Sequence, residues 1–260
     1  MLSVMARHHG FDAPSRAEGP FLDHLETVFG GFVGARATHR ADDYLYVEGN
    51  NDVLFLAHVD RIAAGSAVFR PDGEWVEGQL DNVVSTATLE LLFESGRRPH
   101  VVFVTQEEIG NSDTSYCHFL ADFPEAERLT LVAMDIDVAF GIEEDAVGGG
   151  MVSLRGYDSG ALYHRATVAW ARRLARAAGA AVHGLDGVWA IGDLTLIIQA
   201  GLGTGAFLGI PVLDYHSAKE RTTAKAIRGF FAAACALSDA TPPEPTAALE
   251  SLDCVRPEAA

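Results

Sequence analysis

The sequence predicts a three-layer α/β protein with a mixed, largely parallel β-sheet between helices on both faces. Two observations lead to this fold class. Short apolar runs rich in β-branched residues alternate along the chain with longer segments whose apolar residues recur at helical spacing. One of these runs, VLFLA at 53–57, is apolar at every position, which is typical of a central strand covered on both faces.

Length and composition predict one folded domain and a short tail. The chain has 260 residues, a length that suits one α/β domain. Its last segment, TPPEPTAALESLDCVRPEAA at 241–260, is rich in proline and poor in residues that build a core. We therefore expect a single domain over residues 1–240 and a loosely attached tail over residues 241–260.

The first predicted elements are a helix and two strands. Residues 19–32, GPFLDHLETVFGGF, place apolar side chains at helical spacing and predict an amphipathic helix that ends at its Gly-Gly pair. Residues 44–47 and 53–57 predict strands because they are rich in β-formers. The intervening GNND at 49–52 indicates a hairpin or a tight turn.

The middle of the chain continues the alternation of helix and strand. A helix is expected from Asp81, where DNVVSTATLELLFESG begins, to a stop at Gly96. Strand VVFVT at 101–105 follows, and SDTSYCHFLADF at 112–123 predicts a short helix with its first serine as N-cap. LTLVAM at 129–134 predicts the next strand.

The last third of the chain predicts further elements of both kinds. MVSLRG at 151–156 indicates a strand, residues 159–179 a long helix, and GDLTLIIQAG at 192–201 a short helix. IPVLDYHS at 210–217 indicates a strand that leads into a loop, and residues 219–238 a final helix.

The excess of acidic residues argues against nucleic-acid and membrane partners. Asp and Glu number 36 against 19 Lys and Arg, and the net charge of −17 would repel a phosphate backbone or an anionic membrane. No apolar run approaches the roughly 20 residues of a membrane span. The 3 scattered cysteines form no disulfide framework and no signal peptide is apparent, so we expect a cytoplasmic protein. Such acidity is also typical of salt-adapted and of cation-binding proteins.

Acidic and imidazole side chains follow several of the predicted strands. They are His58, Asp60, Glu107, Glu108, Asp135, Asp137 and His216, and Asp81 stands at a predicted helix start. Because ligands of such sheets bind beyond the carboxyl ends of the strands, these residues are expected at one edge. Imidazole and carboxylate groups are the ligands of Zn²⁺ and related divalent ions, and more than four of them allow two metals that share one carboxylate.

Each residue also has a simpler interpretation. Asp81 can cap a helix, and His58 can be a hydrogen-bonded core histidine. Asp135 and Asp137 can form a solvated strand end, and His216 can lie in a loop bonded to a carbonyl. These interpretations do not explain why all the residues fall at the same edge, so we favour a metal site.

The same residues carry a resemblance to a known family. AHVD, the DN before VVSTATLELL, QEEIG, MDID and YHSAKE occur in the order found in the co-catalytic zinc aminopeptidases and carboxypeptidases. The phrases QEEIG and HSAKE resemble the glutamyl and tetrahedral aminopeptidase group most. The resemblance covers about residues 40 to 238, and it rests on the ordered set because each motif alone is weak.

The resemblance implies two divalent metal ions, with Zn²⁺ the expected metal. His58 and Asp135 would bind the first ion, Glu108 and His216 the second, and Asp81 would bridge them. Asp137 is the rival of Asp135 for its role.

The resemblance also implies roles for groups that surround the metals. Asp60 would orient His58 through the far ring nitrogen. The peptide bond between Asp81 and Asn82 would be cis. Glu107 would act as general base and take a proton from a water activated by the metals, so that the chain would be a di-zinc hydrolase of amide bonds. The expected substrates are short peptides or amino-acid amides, as for an aminopeptidase.

The sequence departs from the tetrahedral group in one respect. Only about twenty residues separate Asp60 from Asp81, so the domain inserted there in that group is expected to be missing, and its large assemblies are not carried over. An oligomer is possible but is not derivable from the sequence.

Three residues are candidates for binding the substrate. Asp193, at a helix start, can recognise a free amine or can be an N-cap. Arg61 can bind a substrate carboxylate or be structural, and Tyr215 can line a pocket or pack.

Two alternative functions stay open. The first is an amidohydrolase or deacylase for one small metabolite on the same scaffold. The second is a non-catalytic binding protein that retains the fold.

Overall fold

The computed structural model describes residues 1–11, 13–62, 70–138, 147–159, 161–184 and 192–243. Most of the predicted tail, from residue 244 onward, lies outside the described residues, so the boundary at residue 240 stays a prediction. Among the described helices, none combines the length and the apolarity that crossing a membrane requires.

The described chain contains helices of one to four turns. They are α1 (Leu2–His9), α2 (Gly19–Val33), α3 (Val83–Glu94), α4 (Ser112–Asp122), α5 (Arg165–Ala177), α6 (Asp193–Gln199) and α7 (Ala224–Asp239). Short 3-10 helices cover Ala35–Ala37, Glu107–Ile109 and Pro124–Arg128.

The described strands vary from two to nine residues in length. The first seven are β1 (Thr38–Arg40), β2 (Tyr44–Val47), β3 (Val53–His58), β4 (Arg70–Asp72), β5 (Trp75–Gly78), β6 (His100–Val104) and β7 (Thr130–Val138). The others are β8 (Met151–Ser153), β9 (Tyr157–Asp158), β10 (Ala161–Leu162), β11 (Ala181–His183), β12 (Gly205–Val212) and β13 (Glu220–Thr223).

The main sheet has 8 strands in the order β1-β2-β6-β3-β7-β12-β8-β11. Strands β6, β3, β7 and β12 are parallel, as are β8 and β11, whereas β1 pairs with β2, β2 with β6 and β8 with β12 in antiparallel fashion. Helices α1, α2, α3, α5 and α7 form one connected layer, and α4 and α6 form another. The predicted fold class, a mixed and largely parallel sheet flanked by helices, is confirmed.

The central strand β3 lies where its composition predicts. Every residue of β3 is buried, and β6 and β7 flank it inside the sheet. The carboxyl ends of β3, β6 and β7 therefore point to the same edge of the sheet. That edge carries the candidate metal ligands.

The prediction of a hairpin between β2 and β3 is wrong, because β6 lies between these two strands. The tight turn brings the chain against β6 instead. A Cβ on Gly49 would lie 2.3 Å from the main chain of Pro99 and His100, so only glycine allows this close approach. The amide of Asn50 donates to the carbonyl of Arg98 at 2.8 Å, which fixes the register of the crossing.

Several helix boundaries also differ from the predictions. The helix expected over residues 159–179 begins only at Arg165, after the short strand β10. Helix α2 passes through its Gly-Gly pair and ends at Gly34, which has a φ of 87°. The N-cap of α4 is Asn111, so that Ser112 is the first helical residue. The final helix begins only at Ala224, because 220–223 pair with β5 as strand β13, in which two β-branched threonines favour the extended conformation.

Candidate metal centre

The first group of candidate ligands surrounds His58 at the end of β3. His58 Nε2 lies 3.0 Å from Asp81 Oδ1 and 3.3 Å from Asp135 Oδ1. Asp81 precedes α3, and Asp135 belongs to β7, the strand next to β3. The topology of the sheet therefore brings together three residues that are distant in the sequence.

The second group lies on the other side of Asp81. His216 Nε2 is 3.6 Å from Asp81 Oδ2 and 3.7 Å from Glu108 Oε2. Glu108 belongs to the 3-10 helix that follows β6, and His216 belongs to the loop that follows β12. One carboxylate oxygen of Asp81 thus faces each group, which is the arrangement that a bridging ligand needs.

The donor atoms of these groups fit divalent metal ions. In each group, one ligand atom per residue lies within 4.8 Å of the others. The atoms are imidazole nitrogens and carboxylate oxygens, which suit Zn²⁺ and similar ions. Glu108 Oε1 is buried and forms no hydrogen bond with the described residues, so it is open to a cation.

The charges of the site also favour cations. Burial and the charge of Asp81 raise the pKa of Glu108 to about 11, and burial raises the pKa of Asp135 to about 7 although His58 lowers it. Burial alone would lower the pKa of His58, but Asp135 and Asp81 raise it well above its usual value. Without metals, the carboxylates repel one another in a medium that screens poorly, and bound cations would relieve this repulsion.

Asp60 contacts both the first group and the chain that carries the second. His58 Nδ1 lies 3.2 Å from the carbonyl oxygen of Asp60 and 3.5 Å from its Oδ1, so Nε2 is the nitrogen directed at Asp81. The carboxylate of Asp60 also accepts the amide N–H groups of Glu107 at 3.0 Å and Glu108 at 3.2 Å. Burial opposes the ionisation of Asp60, but the hydrogen bond from His58 and others lower its pKa.

Glu107 lies beside the metal ligands. One of its carboxylate oxygens is within 4.8 Å of ligand atoms of His58 and Glu108. Burial raises the pKa of Glu107 well above its usual value, and Asp193 and Asp135 raise it further while His58 lowers it. In the absence of metal ions, burial and the neighbouring carboxylates thus favour the protonated form of Glu107.

Asp137 contacts different residues from its rival Asp135. Its Oδ2 lies 3.3 Å from Arg155 Nε, and both side chains are buried. Arg155 also donates to Asp158 Oδ2 at 2.6 Å. Asp137 is in neither group of candidate ligands, so the geometry favours Asp135 as the ligand of the first ion.

Substitution of these two aspartates is expected to separate their roles. We expect Asp135→Ala to lower the zinc content of the protein, whereas Asp137→Ala keeps the zinc content and destabilises the fold by about 3 kcal/mol. The destabilisation lies at the lower end for a buried pair because Asp158 still accepts from Arg155. Elemental analysis and chemical denaturation measure the two effects, and loss of zinc from the Asp137 variant alone would contradict this assignment.

Asp193 lies near the candidate ligands, at the first residue of α6. The N-cap of this helix is Gly192, so the N-cap interpretation of Asp193 is wrong. Asp193 is buried, and neither carboxylate oxygen forms a hydrogen bond with the described residues. Burial raises its pKa to about 6.

The other two candidates for substrate binding differ from each other. The guanidinium of Arg61 donates to the carbonyl oxygens of His8 at 2.9 Å and His9 at 3.2 Å. This geometry favours the structural interpretation of Arg61, because the groups that would bind a substrate carboxylate already bind the main chain. Tyr215 stacks on the imidazole of His216, with ring centroids 3.7 Å apart, and its substrate role stays a prediction.

Sequence reasoning missed the role of Glu220. Its Oε2 accepts the amide N–H groups of Leu80 at 2.6 Å and Asp81 at 3.1 Å, and its Oε1 accepts that of His216 at 2.8 Å. Glu220 is fully buried and connects the loop that carries Asp81 with the loop that carries His216. The phrase HSAKE, which places Glu220 four residues after His216, was a signal that Glu220 belongs to the site. Only the fold shows which amides Glu220 binds.

The peptide bond between Asp81 and Asn82 is cis, as the resemblance implied. Asn82 Nδ2 donates to the carbonyl of Met134 at 2.9 Å. This bond connects the start of α3 to the strand that carries Asp135.

Comparison with solved structures finds similar folds at low sequence identity. An aminopeptidase from the archaeon Desulfurococcus kamchatkensis has a TM-score of 0.75 and 13% identity, over 93% of this chain and 95% of that chain. The TET1 peptidase of Pyrococcus horikoshii, which can assemble into a tetrahedron or a large octahedral shell, has a TM-score of 0.67 and 15% identity, over 91% of this chain and 98% of that chain. A protein from Thermotoga maritima described as an endoglucanase has a TM-score of 0.68 and 10% identity, over 90% of this chain and 96% of that chain.

Sequence comparisons add no family to this finding. No protein-family model matches the chain, and no curated protein matches it. The missing inserted domain and the resemblance to the glutamyl and tetrahedral aminopeptidase group stay predictions. At these identities the likeness shows that the chain has the α/β fold of the aminopeptidase structures.

Proposed function

We propose that the protein is a metal-dependent hydrolase of amide bonds and that, as in an aminopeptidase, the residue whose carbonyl is attacked has a free α-amino group. The observation that supports this most strongly is the pair of ligand groups that share Asp81, with Glu107 beside them. The shared fold with an archaeal aminopeptidase is consistent with it.

The residues divide into two sets of ligands. His58 and Asp135 would hold one divalent ion, Glu108 and His216 would hold the other, and Asp81 would contact both. When bound, two Zn²⁺ ions would polarise the scissile carbonyl and lower the pKa of water at the site. Asp60 contacts Nδ1 of His58, so Nε2 is the ring nitrogen that would be left to coordinate an ion.

Glu107 moves the proton in this proposal. Its carboxylate takes a proton from the attacking water as the water oxygen bonds to the carbonyl carbon. The carbon–nitrogen bond then breaks, and Glu107 delivers the same proton to the leaving nitrogen. No other proton carrier is needed, because the acid formed in the first step is consumed in the second.

Asp193 recognises the free amino group of the substrate in this proposal. A buried carboxylate without a charged partner among the described residues is costly to keep, although the hydroxyl of Ser112 favours its ionised form, and a substrate ammonium group would compensate it. Its charge raises the pKa values of Glu107 and Asp135, so it lies close enough to act at the same site. A free amine is the feature that distinguishes an aminopeptidase substrate from an N-acyl amino acid.

The experiment that tests this function combines metal analysis with a substrate panel. We expect two zinc equivalents per chain, and hydrolysis of amino-acid amides that stops on chelation and returns with zinc. N-acyl amino acids in the same panel test the deacylase alternative. A protein that binds no metal and cleaves no amide would instead be the non-catalytic binding protein.

The role of Asp193 is tested by its substitution. Asp193→Asn is expected to raise the KM for amino-acid amides about tenfold or more, as for a lost charged hydrogen bond, and to leave the zinc content unchanged. Steady-state kinetics on an amide and on its N-acetylated form measure the effect. If the variant loses activity on both forms equally, Asp193 does not recognise the amine.

A further inference from the structure

Three consecutive amides hold the turn that carries Glu107 and Glu108. The N–H of Gln106 donates to Glu18 Oε1 at 3.2 Å, and those of Glu107 and Glu108 donate to the two carboxylate oxygens of Asp60. Two carboxylates from other parts of the chain therefore determine the direction of this turn. Asp60 belongs to the metal motif, but Glu18 belongs to the N-terminal part of the chain and carries no predicted function.

The turn needs such support because of its main-chain conformation. Gln106 has a φ of 63°, a left-handed conformation that a residue other than glycine adopts only when its surroundings impose it. Within the turn itself, the N–H of Gly110 donates to the carbonyl oxygen of Glu107, and the N–H of Asn111 donates to the carbonyl oxygen of Gln106. These bonds close the C-terminal end of the turn. Its N-terminal end, at residues 106–108, depends on Glu18 and Asp60.

Residues 13–18, which we call the N-terminal strap, supply this support. Ser15 Oγ donates to Asp60 Oδ2 at 2.6 Å, the oxygen that also accepts the amide of Glu108. Glu18 is only 5% exposed, and its Oε1 accepts the amide of Arg16 at 2.9 Å as well as that of Gln106. The strap thus reaches the turn both directly and through Asp60.

The strap is itself anchored beside the metal motif. The N–H of Arg61 donates to the carbonyl of Ala13 at 3.0 Å, and Pro14 forms an isolated parallel bridge with Arg61. The guanidinium of Arg61 binds the end of α1. A displacement of the strap would therefore first move Asp60 and the turn that carries Glu107 and Glu108.

We propose that Ser15 and Glu18 are positioning residues that aim Glu107 and Glu108 at the metal ions. The inference rests on the proposed function for its kinetic part, whereas its metal-binding part needs only the ligand set. Neither residue contacts the reacting atoms, and both act through the hydrogen bonds that orient the turn. Removal of the Glu18 acceptor or the Ser15 donor would let the turn move, which would affect both metal coordination and proton transfer.

The contacts of Glu18 allow a sharp test. Both of its hydrogen bonds converge on Oε1, so the amide oxygen of Glu18→Gln can accept both, whereas Glu18→Ala accepts neither. A residue that acted only through its charge would not show this pattern, because Gln is neutral. Thr27→Ala is the matched control, because Thr27 makes an exposed hydrogen bond to Asp23 in the helix that follows the strap.

The measurements are made on the full-length protein. We expect Glu18→Ala and Ser15→Ala to weaken zinc binding to the metal-free protein about 10- to 100-fold. Competition with a chromophoric chelator measures the zinc affinity. The kcat on an amino-acid amide is expected to fall by a similar factor with little change in KM. Glu18→Gln and Thr27→Ala should stay within about threefold of the unchanged protein in both measurements.

The outcomes separate this inference from the proposed function. Wild-type zinc affinity and kcat in Glu18→Ala would overturn the inference, as would a Gln variant as impaired as the Ala variant. If the unchanged protein binds zinc but cleaves no amide, the proposed function fails and the zinc affinities alone decide on the strap. If Glu18→Ala does not fold, Ser15→Ala, which keeps Glu18, decides in the same way.

Discussion

Replacement of Glu107 by Gln is expected to lower kcat by about 10²- to 10⁴-fold while both zinc equivalents stay bound. Gln has the shape of Glu but does not take a proton from water at neutral pH. The main-chain N–H of Glu107 would still donate to Asp60, so the turn that holds Glu108 would keep its place. The loss should therefore appear in turnover and not in metal content, as measured by steady-state kinetics and elemental analysis.

A matched control is available for this substitution. Glu125 lies exposed in another 3-10 helix, so Glu125→Gln makes the same chemical change away from the site. We expect this variant to keep the activity of the unchanged protein. A Glu107→Gln protein that retains full turnover would rule out Glu107 as the general base, and one without zinc would show that Glu107 is a ligand instead.

Replacement of Asp81 by Ala is expected to remove both zinc ions and all measurable amide hydrolysis. Asp81 is the residue whose two oxygens face the two groups, at 3.0 Å from His58 Nε2 and 3.6 Å from His216 Nε2. His216→Ala, in contrast, removes a ligand from one group only. It is expected to leave about one zinc equivalent on the protein, held by His58, Asp81 and Asp135.

Thermal unfolding with and without zinc measures the same difference. Zinc should raise the Tm of the unchanged protein, because a ligand that binds the folded state stabilises it, and should not shift the Tm of Asp81→Ala. Asp42→Ala, a substitution of an exposed aspartate, is the control and should respond to zinc normally. Two zinc equivalents on Asp81→Ala would contradict the bridging role and with it the paired arrangement of the ligands.

Local residue patterns are enough to place some of the strands and helices. The buried strand β3 and helix α3 lie where their residue patterns place them, because burial on both faces and helical spacing are properties of short segments. The pairing of β2 with β6 in place of β3 was not predictable in this way. A turn at Gly49 is compatible with a hairpin and with a crossing, and only the packing of β6 against that glycine decides between them.

The same distinction applies to the site. The candidate ligands were found because strand exits of a parallel sheet converge, so a position in the sequence implied a position in space. Glu18 and Glu220 were not assigned roles because they act on main-chain amides, and every residue other than proline has an amide. No residue pattern marks which amide a distant carboxylate will reach.

Strand composition and chain order are enough to predict which chemical groups gather and at which edge of the sheet they do so. The contacts between Asp81 and both histidines, between Asp137 and Arg155, and from Glu18 and Asp60 to the turn of Glu107 are visible only in the folded protein. These contacts depend on distances of a few ångströms between segments far apart in the chain, and the packing of the whole core sets those distances.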